Sequence, residues 1–156
     1  MQEIKLGCTV IDNVSGLTGI ATQIRITLSG CRQIGIQPKG DGTKVLEAVL
    51  IDDHLVSVVD EGVSAQVPEG ELSTIHLGEK IRDIITKRAG IVVATVSFVN
   101  GCLYLEVIPK HKKNDPSRTF FIDHKRAQFM SSGIKANIEK TGKGGPMSAA
   151  VPSSSL

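Results

Sequence analysis

A chain of 156 residues with 40% hydrophobic and 22% charged side chains has the composition of a soluble globular protein, which excludes a fibrous or wholly disordered polymer. No apolar run approaches the roughly 18 residues that span a bilayer, and Met1-Gln2-Glu3-Ile4-Lys5 lacks the basic and apolar regions of a signal peptide, so the expectation is a protein made and kept in the cytosol, with no membrane contact. The net charge of +2 conceals opposed halves: residues 1–73 hold five Lys/Arg against ten Asp/Glu, a balance of −5, and residues 74–156 hold thirteen against six, a balance of +7.

Residues 4–14 read as a first strand, with Gly7 preceding or bending it and Asp12 closing it. Ser15-Gly16-Leu17-Thr18-Gly19 is a turn whose glycines permit positive φ or close backbone approach. From Ile20, Thr22, Ile24, Ile26 and Leu28 alternate with Gln23, Arg25 and Thr27 as in a half-buried strand. Ser29-Gly30 makes a hairpin turn. A third strand, 31–37, has Ile34 and Ile36 on one face, and Pro38 ends it by removing a ladder donor. A fourth strand spans 45–51, a turn holds Asp52-Asp53-His54, and a fifth strand spans 55–59. Aromatics make up only 3% and Trp is absent, so the core must be Ile, Val and Leu, which favours sheet. Short strands at this spacing suggest a small barrel or a strongly bent sheet. Residues 60–73, with Gly62, Pro68 and Gly70, read as a linker.

The same plan then recurs 71 residues on, without a gap: Leu6-Gly7 at Leu77-Gly78, Asp12 at Asp83, Gly19-Ile20 at Gly90-Ile91, Gly30-Cys31 at Gly101-Cys102, Pro38-Lys39 at Pro109-Lys110 and Ile51-Asp52 at Ile122-Asp123. This is a tandem duplication, which places a first repeat at 1–59 and a second at 74–130. One feature differs. The apolar phase of the second strand moves by one residue, from Ile24 and Ile26 to Val92, Ala94, Val96 and Phe98, so either a β-bulge absorbs the slip or one copy uses both faces. After Met130 the pattern is lost, and 131–156 reads as a tail, flexible or ordered by a partner. Within it, Ile134 and Ile138 have the spacing of one helical turn.

Catalytic chemistry is not expected. Cys31 and Cys102 follow turn glycines and read as small buried apolar side chains; no C-x-x-C or His-rich spacing points to zinc. Asp12, Asp83, Asp52 and Asp123 read as turn residues that bond their own backbone. Gly16-Leu17-Thr18-Gly19 lacks the Lys-Ser/Thr of a phosphate loop. His, Cys and carboxylates do not cluster at the spacings catalysis demands, so no cofactor or metal is expected either. The interaction candidates are basic: Lys87, Arg88, Lys110, Lys112, Lys113, Arg118, Lys125 and Arg126, with Tyr104, Phe120 and Phe121 close in sequence. Such a set contacts phosphates and stacks on bases, or else is a solvated face on which Phe120 or Phe121 belongs to the core. The charge split offers another use, in which the acidic half of one subunit faces the basic half of the next as a ring or filament.

The motif L-G-x-x-V-x-D, turn, G-I, strand, N/S-G-C, strand, P and an apolar-Ile-Asp segment resembles a family of small proteins encoded by tailed bacteriophages. The second copy is the closer, through Leu77-Gly78, Asp83, Gly90-Ile91, Asn100-Gly101-Cys102 and Phe121-Ile122-Asp123; the first departs at Cys8 and Gly35. The resemblance implies an all-β protein of two tandem small KOW/Tudor-like β-barrels with an extended C-terminal tail, and carries over no catalytic residue. It implies a non-enzymatic structural component of a virion at the neck, tail, baseplate or capsid surface, made in the host cytoplasm and partnered by copies of itself or by other virion proteins. The alternative is an intracellular phage adaptor that binds single-stranded nucleic acid or a host protein through the basic second repeat.

Overall fold

The computed structural model describes residues 3–109 and 118–134. The described residues are all-β, 48% of them in strands, with antiparallel pairing. In chain order the strands are β1 (Thr9–Asp12), β2 (Thr18–Thr27), β3 (Arg32–Pro38), β4 (Val49–Asp52), β5 (Val56–Asp60), β6 (Lys80–Asp83), β7 (Ala89–Phe98), β8 (Leu103–Pro109), β9 (Phe120–Asp123) and β10 (Ala127–Ser131). Single 3-10 turns occupy Asp53–Leu55, Ser64–Gln66 and His124–Arg126. Residues 133–134 begin a helical turn; Ile138 and the rest of the expected tail lie outside the described residues.

Two compact units are present. Unit 1 takes its described residues from Met1–Ile26, Gly30–Leu72 and Val96–Leu103, and unit 2 from Thr27–Ser29, Ser73–Thr95 and Tyr104–Leu156.

In unit 1 the strands run in the order β5-β1-β2-β3-β4. Ile4, Cys8, Val10, Ala21, Ile34, Ile36 and Val56 form its buried core, with Leu17, Ile24, Ile51 and Val58 packed against them. Alternation along β3 puts Ile34 and Ile36 on the core face. Gly35 lies between them on the other face, where a Cβ would meet the Gln23 side chain at 2.7 Å. The ladder between β2 and β3 steps from Ala21–Ile36 to Gln23–Gly35, so Thr22 is an extra residue. This β-bulge accounts for the phase difference between the copies. In β7 the buried residues Gly90, Val92, Ala94 and Val96 keep a period of two, whereas in β2 the bulge at Thr22 returns Ile24 to the core opposite Ile34.

Unit 2 repeats the order as β10-β6-β7-β8-β9. Its core is Ile75, Ile81, Val92, Leu105, Val107 and Ile122, with Leu77, Phe120 and Ala127 against it. These are the 71-residue counterparts of Ile4, Val10, Ala21, Ile34, Ile36, Ile51, Leu6, Val49 and Val56; all of these except Leu6 and Val49 belong to or pack on the unit 1 core, so the duplication extends to most of the packing. A second bulge is also shared: the register shifts between Thr9 and Val10 opposite β5, and between Phe129 and Ser131 opposite β6, leaving Val59 and Met130 as the extra residues.

Two expected strands are shorter than the residue pattern suggested. Gly7 takes φ +93°, which interrupts extended backbone and delays β1 to Thr9. The fourth strand starts at Val49, and Val45 and Leu46 precede it as exposed residues. The stretch expected as a linker packs within unit 1. Gly62 has φ +51°, Val63 N donates to Gly7 O at 2.8 Å, and the 3-10 turn Ser64–Gln66 brings Ser64 Cα to 2.7 Å from where a Gly7 Cβ would stand. A Cβ on Gly62 would overlap the Gly7 carbonyl oxygen, and one on Gly133 would overlap that of Gly78. The repeat therefore continues to Gly133, beyond Met130, where the residue pattern alone had faded.

The G-I pairs have a similar cause. A Cβ on Gly19 would overlap the carbonyl oxygen of Gln37, and one on Gly90 that of Ile108, because the neighbouring strand passes across the α-carbon. Gly90→Ala is expected to destabilise the chain by about 2 kcal/mol or more, since the clash is with backbone and cannot be relieved by a rotamer change. Urea unfolding followed by far-UV circular dichroism checks this.

A basic, isoleucine-tipped surface on unit 2

The turn from β6 to β7 is built on Asp83. Its carboxylate accepts from Ile85 N at 3.0 Å and Thr86 Oγ1 at 2.7 Å, while Lys87 N donates to Asp83 O at 2.9 Å and Asp83 N to Arg88 O at 2.8 Å. These bonds fold five residues into a tight loop. The counterpart in unit 1 is the same device: Asp12 accepts from Val14 N at 3.1 Å and from Ser15 Oγ at 2.5 Å. Asp12, Asp83 and Asp123, whose carboxylate takes Lys125 N at 2.9 Å, thus bond nearby backbone as their turn positions suggested. Asp52 differs, since its carboxylate accepts from Gln33 Nε2 at 3.4 Å on the neighbouring strand.

Two substitutions make the second loop unlike the first. Lys87 stands where unit 1 has Gly16, and it is the one non-glycine at positive φ among the described residues, at +67°. A side chain in the left-handed region costs about 1–2 kcal/mol, so the loop must be held from elsewhere. Arg126, in the position of Leu55, supplies the hold: its Nε donates to Asp83 Oδ1 at 3.1 Å and its Nη2 to Oδ2 at 2.6 Å. Ile84 N donates in turn to Arg126 O at 3.0 Å. The fork-shaped pair and the backbone bond join the loop to the 3-10 turn His124–Arg126. Burial by itself would raise the Asp83 carboxyl, but the guanidinium, Ile85 N–H and Thr86 hydroxyl outweigh it and bring the pKa down to about 2 from 3.8.

Of the sequence-predicted residues, Arg88 and Arg126 are tied to this frame by contacts, and Lys87 lies within the loop. The Arg88 guanidinium lies 4.1 Å over the centroid of Phe120, a cation–π contact that fixes its direction. Lys87, Arg88, Arg118 and Lys125 are exposed, and Arg118 precedes Phe120 by two residues. Arg126 is the exception, because its charge is matched by Asp83 and it positions the loop. Lys110, Lys112 and Lys113 lie outside the described residues. Phe120 packs on the core, whereas Phe121 is 55% exposed. Residue patterns did not mark Ile84 and Ile85, which form the tip of the loop at 48% and 66% exposure. The signal available was the pair Ile84-Ile85 directly after a turn aspartate.

The cysteines depart from expectation. Cys31 is exposed and Cys102 half-buried; each follows a positive-φ glycine at a hairpin turn, Gly30 or Gly101, and Pro68 packs near Gly101 whereas the space at Gly30 is open. Cys8 is the buried one; in unit 2 its place is taken by Glu79, whose carboxylate accepts from His76 N at 2.6 Å. Among the described residues no helix is long and apolar enough to cross a membrane. The chain matches no protein-family model, no curated protein and no solved structure.

Asp83 has a folded pKa of about 2, below its ordinary 3.8. Its charged form therefore favours the folded state: the contribution is full above about pH 4 and is lost as pH falls through 2. Asp83→Asn is expected to lower the neutral-pH Tm by about 5 °C or more and to reduce the loss of stability between about pH 4 and 2. Thermal melts of both proteins across that range check it.

Proposed function

We propose that this chain is a non-enzymatic structural component of a tailed-phage virion, placed at the neck, tail, baseplate or capsid surface, that works by protein–protein assembly. The observation that carries the reading is apolar exposure on the terminal strands of the sheets. Val49 and Leu50 on β4, Phe121 on β9, and Phe129 and Met130 on β10 are all exposed. Solitary proteins usually guard such strands with Lys, Pro or a covering segment; here β4 reads Val-Leu-Ile-Asp. Apolar terminal strands are suited to burial in an assembly.

The strand order β5-β1-β2-β3-β4, with a 3-10 turn joining β4 to β5, and its repetition in unit 2 support reading each unit as a small barrel of the KOW/Tudor kind. Duplication of such a unit gives one chain two chemically different faces, which suits a position between unlike neighbours in a particle. The protein would be made in the host cytoplasm and reside in the virion, with copies of itself or other virion proteins as partners. Mass spectrometry of purified particles is expected to find the chain in fixed proportion to the major structural proteins. Its absence from particles would overturn the reading.

A second reading is favoured by Arg88 held over Phe120 beside Lys87, Arg118 and Lys125: an adaptor for single-stranded nucleic acid, with a host protein the other partner of that role. Under it, binding of a fluorescent oligonucleotide falls steeply with salt. Lys87→Ala with Arg88→Ala would then lower the magnitude of the log–log slope by about 1–2. Titration at several salt concentrations distinguishes this from an unchanged slope, which would exclude the site.

A further inference from the structure

We propose that the basic loop of unit 2 docks on the terminal strand of unit 1 in a second copy of the chain, so that copies add head to tail. The proposal specifies the assembly reading above and rests on it.

The basic half of the contact is the Asp83-based loop. It presents an apolar tip, Ile84 and Ile85, beside Lys87 and Arg88, and its shape is fixed by Arg126 and by the stacking of Arg88 on Phe120. Strain at Lys87 in an exposed position is also what an interaction site tolerates and a purely structural loop, such as that at Gly16, avoids.

The complementary half is β4 with the residues that lead into it. β4 ends the unit 1 sheet and pairs with β3 from Val49 opposite Ile36 to Asp52 opposite Gln33. Val45 is 97% exposed, and Leu46, Val49 and Leu50 are exposed with it. Along β4, Asp52 shares with Leu50 the face opposite to that of Val49 and Ile51, and Glu47 is exposed just before the strand. Residues 45–53 contain no Lys or Arg; the exposed Lys44 precedes them, and Arg32 lies 3.6 Å from Asp53. Residues 44–53 hold one Lys against Glu47, Asp52 and Asp53, so each surface combines exposed aliphatic side chains with a net charge, and the net charges are opposite.

A nucleic acid would use Lys87 and Arg88 but would leave the isoleucine tip against phosphates and give the β4 surface no role. A second copy satisfies both surfaces at once. The two patches differ, so the contact is heterologous, and an open array leaves one loop patch unused at one end and one β4 patch unused at the other.

Sedimentation velocity over a range of concentration and salt tests this. The wild-type mass is expected to rise with concentration and to fall with salt. K87E/R88E, and separately E47K/D52K, are each expected to weaken association at least about tenfold, with circular dichroism showing that both remain folded. Mixing the two variants should restore association as alternating arrays, because the intact loop of one meets the intact β4 of the other and the two charge-reversed patches are complementary as well. All four substitutions in one chain should restore assembly. A wild type that stays monomeric, a mixture that does not associate, or K87E/R88E assembling like wild type would overturn the proposal. Oligonucleotide binding through Lys87 and Arg88 by a monomeric wild type would overturn it in favour of a nucleic-acid site. Presence of the chain in particles despite a monomeric solution state would leave the virion reading standing and remove only this contact.

Discussion

Each unit depends on a place where two stretches of backbone meet with no room for a side chain. In unit 1 the meeting is between Gly7, just before β1, and Gly62, just after β5; in unit 2 it is between Gly78 and Gly133. All four glycines have positive φ, and at Gly7, Gly62 and Gly133 a Cβ would also overlap backbone, so conformation and space impose the same requirement there. The contact ties the entrance of a five-strand unit to its exit. Around it the sequence is free to change provided a backbone N–H is satisfied: Asp60 Oδ1 accepts from Gly62 N at 2.8 Å, and Ser131 Oγ takes the same role for Gly133 N at 3.3 Å.

Because that frame is fixed by glycines and by aliphatic core positions, single substitutions can alter a surface without moving the scaffold. Leu55 to Arg126 is the clearest case. In unit 1 the Asp12 loop closes on its own hydroxyl and backbone donors; in unit 2 the arginine adds a paired charge that reaches Asp83 from 43 residues away. A paired ion of low exposure contributes more to a defined geometry than to net stability, since desolvation offsets much of the attraction. Its consequence is local: the loop holds its shape with a lysine in a glycine conformation. The basic character of unit 2 is therefore displayed in a defined direction.

The duplication made much of the fold legible. Core positions follow from alternation plus the 71-residue offset, and the slip between Ile24 and Val96 signalled a bulge that the β2–β3 register places at Thr22. Other features depend on contacts distant in sequence, which periodicity does not encode. Gly133 was hidden because Asp60-Glu61 and Ser131-Ser132 share no identity beside it. The exposure of Cys31 follows from its place on a hairpin turn, a property of the fold more than of the residue type. The basic residues were visible as a set, but charge counting treated Arg126 as equal to Lys87, whereas the structure gives one a partner and presents the other to solvent. Ile84 and Ile85 carried no mark in the residue pattern, because their exposure depends on the turn that Asp83 closes.

The energetic division in the proposed contact follows from the same separation of scaffold and surface. Exposed ion pairs contribute about 0–1 kcal/mol each, while full burial of an isoleucine, leucine or valine side chain contributes about 1.5–3 kcal/mol. Ile84 and Ile85 seated against Val45 and Leu50 would then dominate affinity. Lys87 and Arg88 facing Glu47 and Asp52 would set orientation, encounter rate and the choice of partner. Like-charged alternatives, loop against loop or strand against strand, would bring the same apolar groups together but with repulsion in place of attraction. In the proposed contact, charge would thus select the head-to-tail arrangement from several that apolar contact alone would permit, which would give a duplicated scaffold a reason to diverge into one acidic and one basic copy.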